Sequence, residues 1–149
     1  MSGTGKSTAL AALGREGFEV VDTDEPGWTE WSEVEAGYVW HEGRIAELLA
    51  RHRNITLYVS GTVSNQGRFY PQFDAVVLLS APRQVLLERI EGRTSNDYGK
   101  TPAERDQILR DLNEVEPRLR ATCTHEVDAG QPIDDVVATL IAIGSGSEA

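Results

Sequence analysis

Short apolar blocks alternate with polar ones along the chain, and their period switches between helix-like and strand-like. From Lys6 to about Leu13 the apolar residues Ala9, Leu10, Ala12 and Leu13 recur at helical spacing, and Gly14 and Gly17 close the segment. "FEVVDTD" predicts a short strand ending on two carboxylates, Asp22 and Asp24, and "EPGW" then turns the chain. Trp31 to Ala50 is expected to be mostly helical, with Tyr38, Ile45, Leu48 and Leu49 on one side. "NITLYVSGT" and "FDAVVLLSA" predict two further strands, each apolar enough to be buried on both faces. Pro82 starts a helix through Arg89. The polar, turn-rich "EGRTSNDYGKTP" predicts a mobile lid loop near residues 91–102. A helix from Ala103 to roughly Leu119, a strand "THEVDA" and a closing helix from Ile133 to Ile143 complete the pattern. Residues 1–143 therefore predict one domain, with 144–149 as a disordered tail.

Strands alternating with helices imply a parallel α/β sheet with helices on both faces. Ligands of such sheets sit at the carboxyl ends of the strands. The segments "SGTGKST", "VVDTD" and "SGTVSNQ" all fall there.

Composition narrows the chemistry. The 149 residues are 40% hydrophobic and 26% charged, enough for one real core. A net charge of −10 argues against nucleic acid as a partner. No apolar run approaches the ~18 residues of a membrane span, and no signal-peptide pattern opens the chain. A cytoplasmic protein without a membrane partner is the expectation, its oligomeric state open. Cys123 is the only cysteine, which excludes a disulfide framework; it is expected to be a small buried hydrophobe.

The opening "MSGTGKST" matches the last three fixed positions of G-x-x-x-x-G-K-[ST] through Gly5, Lys6 and Ser7. The first glycine of that pattern would precede Met1. Backbone N–H groups from Ser2, Gly3, Thr4 and Gly5, the helix terminus and the Lys6 ammonium form an anion site suited to nucleotide phosphates. Ser7 can ligate Mg²⁺ and Thr8 can reach a phosphate oxygen. Alternation along a strand end puts Asp22 and Asp24 on one side, Thr23 opposite. One acid can hold magnesium through water while the other accepts a proton from a substrate hydroxyl. Arg89 and Arg93, one helical turn apart, and Lys100 flank the lid loop and can bring charge to a transferring phosphoryl group. The plainer alternatives are a glycine-rich turn, solvated acids and ordinary surface cations. Trp28, Trp31 and Trp40 suit either packing or a substrate pocket, and Asn65 and Gln66 either a substrate contact or ordinary loop structure. His41, His52 and His125 show no ligand spacing.

Taken together, "SGTGKST", "VVDTD", "SGT", the arginine-bearing lid and "HEVDAGQPIDDVVATLI" resemble the P-loop kinases of the nucleoside-monophosphate-kinase and shikimate-kinase type. The resemblance implies a three-layer, adenylate-kinase-like parallel sheet and an ATP- and Mg²⁺-dependent phosphotransferase acting on a small hydroxyl- or phosphate-bearing metabolite. It implies that Lys6 and Ser7 bind phosphate and magnesium, that Asp22 holds magnesium through water, and that Asp24 contacts the acceptor hydroxyl. Arg89 and Arg93 would serve the lid. Gly61 stands alone where shikimate kinases carry a glycine triplet, and their substrate arginines are missing, so shikimate is not the expected acceptor. In that fold a central strand precedes the phosphate loop. A chain beginning at Met1 is expected to lack it, as a shortened kinase-like protein. The rival expectations are a non-catalytic nucleotide-binding relic and an acceptor-free, switch-type ATPase.

Overall fold

Most periodic blocks of the sequence become elements of the computed structural model, which describes residues 3–94 and 97–146. In chain order these are α1 (Lys6–Arg15), β1 (Glu19–Asp22), β2 (Thr29–Ser32), β3 (Gly37–Trp40), α2 (Glu42–Arg51), β4 (Leu57–Ser60) and β5 (Val77–Ser80). There follow α3 (Arg83–Gly92), α4 (Pro102–Glu114), α5 (Glu116–Thr122), β6 (His125–Asp128) and α6 (Ile133–Gly144). A 3₁₀ segment, Gln66–Gln72, separates β4 from β5. Among the described residues no strand precedes α1.

The chain folds as two compact units. One comprises Met1–Lys6 and Ala75–Thr139, the other Ser7–Asp74 and Leu140–Ala149. In the second, β1 and β4 pair in parallel, from Glu19 opposite Leu57 to Asp22 opposite Ser60. That register brings the carboxyl ends of both strands level, so the loop after Ser60 starts beside Asp22. Trp40, Ile45 and Phe69 form the core here, with Trp28, Leu49 and Val59 packed against them. In the first unit β5 pairs in parallel with β6, from Val77 opposite His125 to Ser80 opposite Asp128. Its α3 and α4 bury Leu86, Ile90 and Ile108 almost completely. The described residues thus show a mixed α/β chain with two short parallel pairs and one antiparallel pair. The strands are less covered than their apolar composition predicts. All of β4 is half-buried, and in β5 only Leu78 is buried.

The helix expected over Trp31–Ala50 divides. Only Glu42–Arg51 is helical, started by His41, whose ring nitrogen Nδ1 accepts from the Arg44 amide at 3.3 Å. Before it β2 and β3 form a hairpin that sets Trp31 opposite Tyr38. Their rings meet edge to face, centroids 5.4 Å apart, and such cross-strand aromatic pairs favour strand over helix. Ala36 takes a φ of +50° to close the turn, directly before Gly37. The helix expected through Leu119 breaks at Val115, because Pro117 lacks an N–H and its ring collides with the preceding turn. The closing helix ends at Gly144, one residue later than expected. Of the expected disordered tail, residues 147–149 lie outside the described residues. Cys123 is half-buried rather than buried and caps α5.

Charge is concentrated around Arg120. Its guanidinium donates to Glu116 at 2.7 Å and to Glu126 at 2.9 Å, and Ser80 Oγ donates to Glu126 at 2.8 Å. The Arg120 hydrogen bonds, then that from Ser80, hold the Glu126 carboxyl below its ordinary value of 4.5. At the start of α4 the Thr101 and Gly99 amides do the same for Glu104. A carboxyl depressed on folding contributes stability above its unfolded pKa and loses it as pH falls through the folded one. We therefore expect the thermal midpoint to drop between about pH 5 and pH 3, and to drop less in Glu126→Gln. An equal drop in wild type and variant would remove Glu126 from the account.

Candidate functional site

The phosphate loop takes a shape that its sequence requires. Gly3 and Gly5 have φ of +78° and +81°, a region that favours glycine. A side chain on Gly3 would also press on the Leu86 carbonyl at 3.0 Å and on Ile90 at 3.2 Å. α1 begins at Lys6 immediately after this loop, so its first-turn amides have no helical partner of their own. Arg89 steadies the loop from α3. Its Nη1 donates to the Gly3 carbonyl at 3.5 Å and its Nη2 to the Ala129 carbonyl at 2.5 Å. The guanidinium expected to serve the lid is thus engaged by main-chain oxygens. Ser2 lies outside the described residues.

In the second unit the two acids end up in different settings. β1 stops at Asp22, and Thr23 and Asp24 belong to the turn after it, so strand alternation does not extend to Asp24. Ser7 Oγ donates to Asp22 Oδ2 at 3.1 Å, and the Asp24 amide donates to Asp22 Oδ1 at 3.0 Å. The side chain of Asp24 is exposed, as are Ser7 and Thr8. A hydroxyl and a carboxylate this close are hard oxygen donors of the kind Mg²⁺ takes, with water and phosphate completing its shell. Among the described residues no group of three or more His, Cys, Asp or Glu side chains could hold a metal unaided.

Thr23 is the residue that sequence reasoning underrated. It is only 1% exposed, its amide and hydroxyl both donate to the Ser60 carbonyl, at 2.9 and 2.7 Å, and its Oγ1 accepts from Trp40 Nε1 at 2.9 Å. A Cβ at Gly61 would overlap that hydroxyl oxygen. The lone glycine of "SGT" and the middle residue of "DTD" are the sequence signals of this packing.

The match that decides the family spans this stretch and more. The sequence pattern described as an AAA domain matches residues 1–110, from the phosphate loop into α4. The chain belongs to this AAA domain family. It is a P-loop NTPase-like family that includes kinases, and membership carries nucleotide binding with it. No curated protein matches the chain.

Other candidates of this AAA domain divide clearly. Asn65 is buried, and its side-chain amide brackets the Trp40 backbone, accepting at 2.9 Å and donating at 3.0 Å. Gln66 accepts from the Val63 amide and donates to Tyr70 Oη. Both side-chain amides are thus hydrogen-bonded within the protein, and Asn65 also lines the cleft beside the hairpin. Trp28 packs in the core, whereas Trp31 and Trp40 line an open cleft of about 320 Å³ beside the hairpin. Arg93 donates to the Tyr98 carbonyl at 2.6 Å, and Lys100 donates back to the Arg93 carbonyl at 2.7 Å, so both cations are engaged within their own loop. Residues 95 and 96 of that loop lie outside the described residues. No helix among the described residues is long and apolar enough to cross a membrane.

Proposed function

We propose that the protein is an ATP-dependent phosphotransferase that moves the γ-phosphoryl group of ATP to a small hydroxyl- or phosphate-bearing metabolite in the cytoplasm. The observation that carries this reading is the Ser7–Asp22 hydrogen bond directly after the glycine-shaped loop. It supports an acidic partner for Mg²⁺ on Ser7, the residue that follows the phosphate loop in sequence, and phosphoryl transfer relies on a metal ion and a phosphate cradle together.

In this reading the amides of Ser2, Gly3, Thr4 and Gly5 and the first turn of α1 hold the phosphates. Lys6 neutralises charge on them and Thr8 supplies a hydroxyl to an oxygen. Ser7 and Asp22 would hold Mg²⁺, Asp22 through water; when bound, the ion offsets the negative charge of the phosphates. Asp24, exposed and free of the strand, accepts or orients the acceptor's hydroxyl proton. The geometry supports Arg89 as a positioning residue that fixes the Gly3 carbonyl, and Arg93 remains the candidate to meet the transferring group from the lid. Catalysis here is mostly positioning and charge neutralisation.

A calorimetric titration of ATP with magnesium against wild type and Lys6→Ala tests the assignment. The variant should bind at least about tenfold more weakly while its far-ultraviolet spectrum and melt stay unchanged. Equal affinities would sink the phosphate-loop reading. ATP hydrolysis indifferent to every added metabolite would keep the loop and remove the acceptor.

A further inference from the structure

We propose that the cleft beside the β2–β3 hairpin binds a positively charged, amine-bearing small molecule, and that this molecule is the phosphoryl acceptor. Only the second half of that statement rests on the phosphotransferase reading.

The walls of the cleft select by charge. Glu30, Glu35 and Glu42 contribute three carboxylates against a single cation, Arg68. Arg68 is already paired with Glu42 at 2.5 Å. The Glu30 carboxylate lies 3.9 Å from the His41 ring. The surplus is two negative charges in a concave space, where field lines concentrate and anions are turned away. A carboxylate or phosphate ligand would meet repulsion here, and an ammonium would not.

The aromatic lining points the same way. Trp31 is 53% exposed, whereas Trp40, the other indole on the hairpin, is buried. Its indole N–H is spent on Glu33 at 3.0 Å, so what it offers a ligand is the ring. The negative face of an indole attracts an ammonium or alkylammonium group lying within about 6 Å. Trp40 forms part of the lining and is buried, and its Nε1 donates to Thr23, the residue between Asp22 and Asp24. A ligand seated against Trp40 is therefore one hydrogen bond from the turn that carries the proposed acceptor acid. An amine to be recognised and a hydroxyl to be phosphorylated on one small molecule would use both features.

The test compares two probes of one shape on the full chain, the hydroxyethyl trimethylammonium ion and its uncharged tert-butyl analogue. Titration by tryptophan fluorescence should give about tenfold tighter binding of the cation. Added salt should weaken the cation's binding and leave the neutral probe's unchanged. Glu35→Gln, whose carboxylate has no hydrogen-bond or ion-pair partner among the described residues, should reduce the preference without changing the melt, and Trp31→Leu should reduce it further. Equal binding of the two probes, no binding of either, or a preference that survives both substitutions would overturn the assignment. Transfer from ATP is then assayed with amino alcohols and with neutral polyols. Binding of the cation without transfer to any amine would leave the cleft assigned and overturn the acceptor role. Transfer to polyols with no gain from an amine would keep the phosphotransferase and likewise overturn the acceptor role.

Discussion

Replacing Gly61 by alanine is expected to destabilise the protein by about 1–3 kcal/mol and to lower its thermal midpoint by several degrees. The added methyl would occupy the place of the Thr23 hydroxyl oxygen and lie 3.4 Å from Trp40 Nε1. Thr23 has nowhere to retreat. It is 1% exposed and joined to the Ser60 carbonyl through both its amide and its hydroxyl. Relief of the clash must break at least one of these bonds or push Trp40 away, leaving a buried donor unpaired. Thr23→Ala alone also costs stability, since it orphans the Trp40 indole N–H. The two substitutions share one cause, so the double variant should be markedly more stable than the sum of the single losses predicts. Urea melts of the four proteins provide the measurement, and strict additivity would refute the account.

Asp24→Asn is expected to reduce phosphoryl transfer by roughly 10²–10⁴-fold, the range for loss of a general base, while sparing ATP binding. Asp22→Asn should behave differently. Its Oδ1 can still accept from the Asp24 amide, and the new NH₂ can donate to the Ser7 hydroxyl, so the local shape survives. What is lost is the charge proposed to balance magnesium. The variant should need more magnesium and should lose acceptor-independent ATP hydrolysis along with transfer. Magnesium titrations of both activities, with the true acceptor present, separate the two. A shared phenotype, or normal turnover by Asp24→Asn, would end this division of labour.

Much of this arrangement could be read from local pattern. The loop and α1 are specified by residues 3–15, and β1, β4 and β5 by short apolar runs with turn residues on either side. The hairpin was hidden because Ile45, Leu48 and Leu49 carry a genuine helical period, which conceals the change at His41. The signals for it were the β-forming residues of Thr29–Ser32 and Gly37–Trp40 around a tight turn, and their pairing across that turn decides the outcome. The same limit applies to the site. Asp22 and Ser7 meet because β1 ends where α1 begins its first turn, and a strand end marked by carboxylates points there. The bonds of Asn65 and Thr23 to Trp40 join residues distant in sequence, and no periodicity encodes such pairs. Arg89 was legible as a cation on a helix, but its two carbonyl partners were not.

Those two partners have a consequence for how the molecule is made. Gly3 leaves the ribosome well before Ala129, and Arg89 ties both to itself. Leu86 and Ile90, against which Gly3 is seated, also emerge long after it. The loop is therefore translated before the residues that hold it. A nascent chain stalled before β6 is complete lacks one of the two carbonyls that hold Arg89 in place.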